Sequence, residues 1–556
     1  MTQTRQRKKD KNASPNEVLV KFMKTTSIRG LPRIVNSESK IWCVVHILVF
    51  LAALGLTLYM VQNILKEYFE YKVTTSVDLS RNTEDTHFPD VTLCNINPHS
   101  KTFKDITRET LSKAWSKVDG NTAQKTKDPH KSYKKLLEEF RRMGMKDAVE
   151  SKTFFHASLS PHELEMSGHK KGDFIRDCKL KDWYGRETPC EMKQLILFRD
   201  LDKLNCYTFQ LHTQELNATR LQRLRGVSFV LFLAPLAPDV FYEIPENVPS
   251  SNGAIVYIHE PNTMPSKSKG FTVSPGFETL VSVSVIHSIQ LPAPYGNCKE
   301  EFEDIKSGRR EFVYDHATCF AKCAQDVFKE SCNCSWEEIP SFGDHHPLYC
   351  MNMNLPREAL KKNDRCLQKA RIKLTSHKQK HQCSHCKEKC STYSYQNSIS
   401  QSVWPDVSTH LGMYKRYIRK GTACNQLFTE YEDLLTGNGK NLTMLEIHTK
   451  LRAYNGVKDS LIKLDVMLNS KDVLTYEQKK IVTLANLLSS LGSTLIFGIG
   501  FTYFAFAEIF ECLFYFIKSC IKRENRDVQT DSICIDIKGE NIKGAMSDKS
   551  TIRVTP

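Results

Sequence analysis

The sequence lacks the short motifs by which common enzyme classes are recognised. None of its 556 residues falls in a nucleophile elbow GxSxG, a phosphate-binding loop or a zinc-protease HExxH motif. Internal repeats and long low-complexity stretches are also absent. With 40% hydrophobic and 25% charged residues, the composition excludes both a wholly disordered chain and a many-helix membrane bundle. An ecto-enzyme is therefore the weakest of the functional alternatives.

Charge is missing from two long apolar stretches. Residues 41–65 and 481–507 contain no Asp, Glu, Lys or Arg. About 20 apolar residues cross a bilayer, whereas a buried core helix needs roughly half that length. We predict transmembrane helices at residues 41–65 and 481–517, the second of which contains Glu508 and Glu511. The first stretch starts too far into the chain, and is too long, for a cleaved signal peptide.

Basic residues flank both stretches and predict the orientation. Residues 1–40 carry ten Lys or Arg against three acidic residues, and residues 518–556 carry eight against six. Because basic flanks stay in the cytoplasm, both termini are predicted to be cytoplasmic and residues 66–480 extracellular, at the plasma membrane. The formal net charge of +15 thus reflects topology and attraction to anionic lipid, and nucleic-acid binding is not expected.

Cysteine usage agrees with that topology. Of 19 cysteines, the 15 between Cys94 and Cys424 all fall in the predicted extracellular part. Such density is typical of disulfide-bonded extracellular proteins. One group has zinc-like spacing, although an oxidising compartment favours disulfides over a metal there: His381, Cys383, His385, Cys386 and Cys390. Glycosylation sequons stand at Asn217, Asn441 and Asn333, the last disfavoured because it precedes a half-cystine.

The predicted extracellular part is one α+β domain with a β core and helical excursions. Alternating and β-branched patterns predict strands at 91–95, 226–234, 277–291 and 461–470. Residues 105–150 are charged and helix-like.

Several motifs, in order along the chain, resemble the degenerin/epithelial sodium channel superfamily. They are RGLPRI at residues 29–34, FPDVTLCN at 88–95, LPAPYGNC at 291–298, the spacing Cys319-x3-Cys323-x8-Cys332-x-Cys334, EQKK at 477–480, LLSSLGS at 487–493 and GFT at 500–502. The GLPRI motif and the long helical insert before Cys178 are most similar to the invertebrate FMRFamide-gated sodium channels.

The resemblance implies a Na+-selective, amiloride-sensitive cation channel without a cofactor, built as a homotrimer or from related subunits. Each subunit would have two transmembrane helices and a hand-like extracellular domain of palm, β-ball, finger, thumb and knuckle. It also implies seven disulfides: Cys94–Cys206, Cys178–Cys190, Cys298–Cys390, Cys319–Cys386, Cys323–Cys383, Cys332–Cys366 and Cys334–Cys350. Cys424 then remains as a free thiol or an intermolecular bridge.

The second apolar stretch carries the predicted pore. Glu508 and Glu511 stand at i and i+3 on one helical face, where threefold symmetry would form acidic rings that concentrate cations at the inner mouth. The alternative is that both carboxylates reach the cytoplasmic interface as ordinary snorkelling side chains. Gly500, Phe501 and Thr502 resemble the selectivity filter Gly-x-Ser, and helix packing through small residues is the alternative for the glycines.

Further roles follow from the resemblance alone. Ser489 matches the small position where bulk holds such channels open, and Arg29 with Gly30 matches the motif before the first transmembrane helix. Tyr71 and Tyr295 match an aromatic pair that would couple the extracellular domain to the pore, with simple packing as the alternative.

The expected stimulus is an extracellular FMRFamide-like peptide. Candidate contacts for its aromatic and basic groups are Glu138, Glu139, Phe140, Phe154, Phe155, Asp173, Phe174, Trp183 and Tyr184. Gating by protons is less expected, because the segment between Cys350 and Cys383 has nine basic and two acidic residues. Constitutive or mechanical gating also stays open, and a two-span receptor or adhesion protein is the alternative to a channel.

Overall fold

The computed structural model describes residues 15–81, 88–100, 152–211, 223–233, 251–307, 310–340, 347–375, 382–419, 428–436 and 442–539, with the single residues 106, 138, 141, 142 and 342. The chain divides into two compact units. The first comprises Met1–Thr74 with Lys480–Pro556, and the second Thr75–Lys479. Most of the predicted helical insert 105–150 lies outside the described residues, as do Asn217, Cys424 and Asn441.

The described helices, numbered in chain order, are α1 (Pro15–Thr25), α2 (Leu31–Val35), α3 (Lys40–Phe69), α4 (Lys152–His156), α5 (Pro161–Ser167), α6 (Lys171–Phe174), α7 (His316–Cys332), α8 (Arg357–Thr375), α9 (His410–Met413), α10 (Thr429–Thr436), α11 (Met444–Ala453), α12 (Gly456–Ser460), α13 (Leu484–Ile499) and α14 (Tyr503–Gly539).

The described strands are β1 (Val73–Arg81), β2 (Asp90–Asn95), β3 (Ile175–Asp182), β4 (Glu187–Pro189), β5 (Leu195–Asp200), β6 (Leu204–Phe209), β7 (Leu224–Phe232), β8 (Ala254–His259), β9 (Phe271–Val273), β10 (Phe277–Ile289), β11 (Ile305–Ser307), β12 (Arg310–Phe312), β13 (Ser391–Val403) and β14 (Leu461–Lys480).

The first unit is helical because its sequence is apolar over long stretches. Helix α3 is 30 residues long and, by length and composition, can cross a membrane. Helix α13 and the first part of α14 pass the same test only as a pair, bent by 70° at the break between them. The second predicted transmembrane helix is thus two helices, the first of which begins three residues after residue 481.

Two sheets form the centre of the second unit. The larger has the strand order β13-β10-β14-β7-β3-β4, with β1 paired to β14, and the smaller has the order β5-β6-β2-β8-β9. Strand β10 pairs antiparallel with β13 along its whole length, from Phe277 opposite Val403 to Ile289 opposite Ser391. Parallel pairing of β10 with β14 is interrupted by a bulge between Val283 and Val285.

The core of this unit contains side chains from both sheets. Buried residues of β2, β6 and β8 form one hydrophobic cluster with buried residues of β7, β10 and β14. Phe209 of β6 meets Phe229 of β7 edge to face, with ring centroids 5.8 Å apart. Burying large aromatic side chains in this way supplies the main favourable free energy of folding.

Strand β14 differs from its prediction in length. The alternating pattern predicted a strand over 461–470, but β14 continues to Lys480. Beyond the bulge, Val473 to Glu477 pair with Val285 to Ile289 of β10. The polar TYEQKK segment is therefore strand because two neighbouring strands, β10 and β1, satisfy its backbone.

Candidate pore and gating site

Helix α13 ends at the residue predicted to begin the filter. Gly500 has a left-handed backbone (φ +68°), and its N–H donates to the carbonyl of Ile496 at 3.0 Å. The N–H of Phe501 donates to the carbonyl of Leu495 at 3.1 Å. The first of these bonds, made by Gly500 in the left-handed conformation, is the αL C-terminal cap of a helix, so α13 ends at Ile499 and α14 begins at Tyr503.

The loop before α2 packs against this break. The N–H of Arg29 donates to the carbonyl of Ile499 at 2.9 Å. A Cβ added to Gly500 would lie 2.5 Å from Cγ of Arg29. Gly500 is therefore required both for its backbone angle and for the close approach of Arg29.

Two further glycines allow close contacts in the first unit. Gly30 precedes α2 with φ +102°, and an added Cβ would lie 2.9 Å from Cδ2 of Phe50 in α3. Gly498 of α13 packs directly against the Thr57 side chain of α3. Small residues at such crossings bring membrane helices close together, as the packing alternative for the glycines supposes. The geometry thus gives Gly498 a packing role and Gly500 a role at the helix end.

Glu508 has partners that sequence reasoning missed. Its Oε2 atom accepts hydrogen bonds from Oγ1 of Thr26 and from the N–H of Ser27, both at 2.8 Å, and from Oγ of Ser27 at 3.2 Å. The signal for this contact was a run of hydroxyl residues before Arg29, since a carboxylate in an apolar segment needs hydrogen-bond donors. Glu511, one turn further on, is exposed within the described chain. The carboxylates of the two predicted acidic rings therefore differ in the isolated subunit: Glu508 accepts hydrogen bonds from the chain itself, whereas Glu511 is exposed.

Ser489 lies on α13, exposed in the isolated subunit. At 100° per residue, Ser489, Ser493, Ile496 and Gly500 share one face of the helix. The predicted gate and filter positions are therefore three turns apart on one side of α13. Of the predicted coupling pair, Tyr71 belongs to the first unit and Tyr295 to the second, and their role stays a prediction.

Within the described part of the second unit, seven disulfides stabilise the fold, and they are the pairs that the resemblance implies: Cys94–Cys206, Cys178–Cys190, Cys298–Cys390, Cys319–Cys386, Cys323–Cys383, Cys332–Cys366 and Cys334–Cys350. Ligand atoms of Cys319, His385 and Cys386 lie close together. The two sulfur atoms are bonded to each other, so they do not fit a zinc ion as thiolates. His381 lies outside the described residues, and Asn333 is exposed at the end of α7.

The predicted peptide contacts that the structure describes do not form one surface. Phe154, Phe155 and Phe174 are core residues, exposed by 1%, 6% and 0%. The Arg225 guanidinium and the Lys471 ammonium each lie over the Trp183 ring, 5.3 and 5.6 Å from its centroid. These three phenylalanines are buried in two separate hydrophobic clusters, Phe174 in one and Phe154 with Phe155 in the other. They therefore pack in the core and are not available to a peptide.

The remaining predicted contacts are polar or exposed. Asp173 lies 3.9 Å from Arg176, Tyr184 is 75% exposed, and Glu138 is exposed. Glu139 and Phe140 lie outside the described residues.

Glu337 is a buried carboxyl group that sequence reasoning also missed. It is 5% exposed, and its Oε2 atom has no hydrogen-bond partner among the described residues. Burial raises the pKa of Glu337 to about 7; the charge of Glu338 also raises it, and Arg371 opposes the shift. The chain therefore contains a group that titrates near neutral pH, just outside the basic segment that follows Cys350.

This burial predicts a pH-dependent stability. Because the pKa rises from 4.5 to about 7, the native protein keeps a proton that the unfolded chain releases, so stability falls as pH rises through this window. The size of the shift corresponds to about 3 kcal/mol. We expect Glu337→Gln to remove most of this dependence and to raise the melting temperature at high pH, measured on purified full-length protein at about pH 5 and about pH 8.

Glu330→Gln is the matched control, because Glu330 is exposed on α7 and is not among the charged groups that shift the pKa of Glu337. It should leave the pH dependence as in the wild type. An unchanged difference between the two melting temperatures in Glu337→Gln would contradict the assignment.

Comparison with known proteins agrees with this architecture. The sequence profile of the family described as amiloride-sensitive sodium channel matches residues 22–512. The FMRFamide-activated amiloride-sensitive sodium channel of Cornu aspersum is 22% identical over 544 residues, covering 90% of this chain and 83% of that protein. Acid-sensing ion channel 1A of Danio rerio is 25% identical over 511 residues, covering 89% and 88%. The human bile acid-sensitive ion channel is 22% identical over 505 residues, covering 89% and 85%.

The match over residues 22–512 shows that the chain is a membrane ion channel by family, and the helix of spanning length, the apolar helix pair broken at a glycine and the disulfide-rich α+β unit agree with that class. More narrowly, the chain belongs to the amiloride-sensitive sodium channel family. The resemblance to the degenerin/epithelial sodium channel superfamily, drawn from the motifs, is thereby confirmed. The family consists of ion channels and not of enzymes.

Proposed function

We propose that this chain is a subunit of a Na+-selective, amiloride-sensitive cation channel opened by an extracellular FMRFamide-like peptide. The subunit crosses the plasma membrane at residues 41–65 and 481–517, with both termini in the cytoplasm and residues 66–480 outside. Three identical or related subunits surround the pore, and the permeant Na+ is the only ion needed. The observation that supports this most is the helix break at Gly500 inside an uncharged apolar stretch.

The helix break at Gly500 frees backbone carbonyl groups that a selectivity filter can use to bind ions. A helix that ends within a membrane leaves backbone carbonyl groups without helical partners, and such groups are tolerated only next to protein or water. Three copies of Gly500, Phe501 and Thr502 would surround the axis with carbonyl and hydroxyl oxygens that replace the water shell of an ion. Glu511, exposed in the isolated subunit, is then the acid best placed to attract cations below the filter.

Peptide gating is supported by the relative from Cornu aspersum, whose name states activation by FMRFamide. That peptide carries two phenylalanine rings, a guanidinium, a free amino group and an amidated end. Recognition therefore needs apolar cavities and carboxylates accessible from outside.

Proton gating is the second candidate. It is favoured by Glu337, whose pKa burial raises to about 7, and by similarity to an acid-sensing channel. A carboxyl that titrates near neutral pH can bias a two-state equilibrium when acid is applied.

The test is to record current from oocytes expressing the full chain. We expect FMRFamide to evoke an inward current that reverses at more positive potential in Na+ than in K+ and that amiloride blocks. Uninjected cells and a peptide of scrambled sequence are the controls. Equal Na+ and K+ permeability would contradict the filter assignment, and current evoked by acid but by no amidated peptide would favour the second candidate.

A further inference from the structure

Three adjoining cavities form one groove in the second unit. Their volumes are about 200, 360 and 420 Å3. Asp200, Ile339 and Pro340 line both the first and the second cavity. Leu159 and Tyr349 line both the second and the third. A ligand larger than one cavity could therefore occupy several of them.

The groove has walls from three separate parts of the unit. One wall is the segment from α4 to α5, another is the turn between β5 and β6, and the third is the described part of residues 339–349. The disulfide Cys334–Cys350 fixes the end of this third wall. A ligand that contacts all three walls would bind most tightly to the conformation in which the spacing of the walls fits it. Such a difference in affinity between two conformations is what allows a ligand to shift their equilibrium.

The charge of the lining is opposite to that of the whole chain. Asp200, Glu338 and Glu163 outnumber Lys267 and Arg199, whereas the chain has a formal net charge of +15. Asp200 lies where the first two cavities meet; its side chain is 11% exposed and faces Nζ of Lys267 at 3.2 Å. The guanidinium of a ligand would pair with this half-enclosed carboxylate by displacing the ammonium of Lys267, whose side chain is 48% exposed.

The middle cavity also has an unused hydrogen-bond acceptor in its wall. Asn205 is 4% exposed, and its Nδ2 donates to the carbonyls of Glu165 and His169 at 3.0 and 3.3 Å. Its Oδ1 atom is buried and accepts no hydrogen bond from any group that the structure describes. Since an unpaired buried acceptor costs free energy, a small rotation of Asn205 that exposed Oδ1 to an N–H donor in this cavity would be favourable.

We propose that this groove is the binding site of the activating peptide, with aromatic side chains in the apolar cavities and a basic side chain near Asp200. This proposal rests on the proposed peptide gating. The apolar lining, which includes Leu159, Leu204 and Ile339, suits phenylalanine rings, and the excess of carboxylates suits an arginine side chain. The site replaces the sequence-predicted one, whose Phe154 and Phe155 lie in the core.

Leu348 provides a test that leaves the fold intact. It lines the third cavity and is 62% exposed, so Leu348→Cys should fold normally. Labelling this cysteine from outside with a bulky thiol reagent is expected to raise the half-maximal FMRFamide concentration at least about tenfold. Met444→Cys, 84% exposed on α11 and outside the groove, is the matched control. Wild-type channels treated with the same reagent control for native thiols.

A second variant tests the charge. Asp200→Asn should weaken the response to FMRFamide but leave the response to an analogue with citrulline in place of arginine nearly unchanged, with surface biotinylation confirming delivery to the membrane. Complete labelling of Leu348→Cys without a change in the half-maximal concentration would overturn the groove while leaving peptide gating intact. Wild-type channels that no amidated peptide opens would overturn both proposals.

Discussion

Replacing Gly500 with alanine is expected to abolish the current while the channel still reaches the cell surface. Gly500 caps α13 at φ +68°, where an alanine costs about 1–2 kcal/mol in backbone strain. Its Cβ would also lie 2.5 Å from Cγ of Arg29, so the break or the loop against it has to move. Filter geometry tolerates little displacement, and the measurement is whole-cell current normalised to surface protein.

The control for this variant is Gly55→Ala in α3. There an added Cβ would meet no heavy atom within 4 Å among the residues that the structure describes. The double variant Gly500→Ala with Arg29→Ala separates the two causes, because it relieves the clash and keeps the backbone strain. Normal current in Gly500→Ala alone would show that the break does not form the conducting path.

Introducing tryptophan at Ser489 should give a large current at rest, without any peptide. Ser489 lies on the face of α13 that also carries Gly500, three turns away. If three such helices close the pore by approaching one another, a bulky side chain holds them apart. A bias of about 1.4 kcal/mol changes the ratio of open to closed channels tenfold, so overpacking of 1–3 kcal/mol suffices.

Ser490→Trp is the control because the neighbouring residue points about 100° around the helix. The measurement is the amiloride-blockable current before any stimulus. A resting current that is the same in both variants, or unchanged from wild type, would place the gate elsewhere.

Sequence patterns predicted the parts of the fold that local chemistry determines. Alternation identified the strand that became β10, and β-rich composition the one that became β7. The single helix predicted over 481–517 is instead two helices, because the first ends at Gly500. The disulfide pairs are those implied by the resemblance, because spacing within a shared fold constrains which cysteines meet. The true end of β14 was not predictable from its own residues, since its polar half is strand only through pairing with distant neighbours.

Contacts between distant segments explain the other differences. Phe154 was a candidate peptide contact with an ordinary core residue as the alternative, and it packs in the cluster that contains Phe328, 174 positions away in the chain. The burial of Glu337 could not be predicted from the residues beside it in the sequence, because it depends on the tertiary packing of the segment after α7. The groove was missed for the same reason, as its walls come from three separate stretches.

The hydrogen bonds from Thr26 and Ser27 to Glu508 have a consequence for biosynthesis. Their partners are separated by 482 and 481 positions, so Thr26 and Ser27 are synthesised long before Glu508 is present to accept their hydrogen bonds. During that interval α1 and the loop after it have no helix α14 to pack against. In a subunit truncated before Glu508, Thr26 and Ser27 would lack this hydrogen-bond acceptor. The unpacked segment around α1 would then distinguish truncated subunits from full-length ones during quality control.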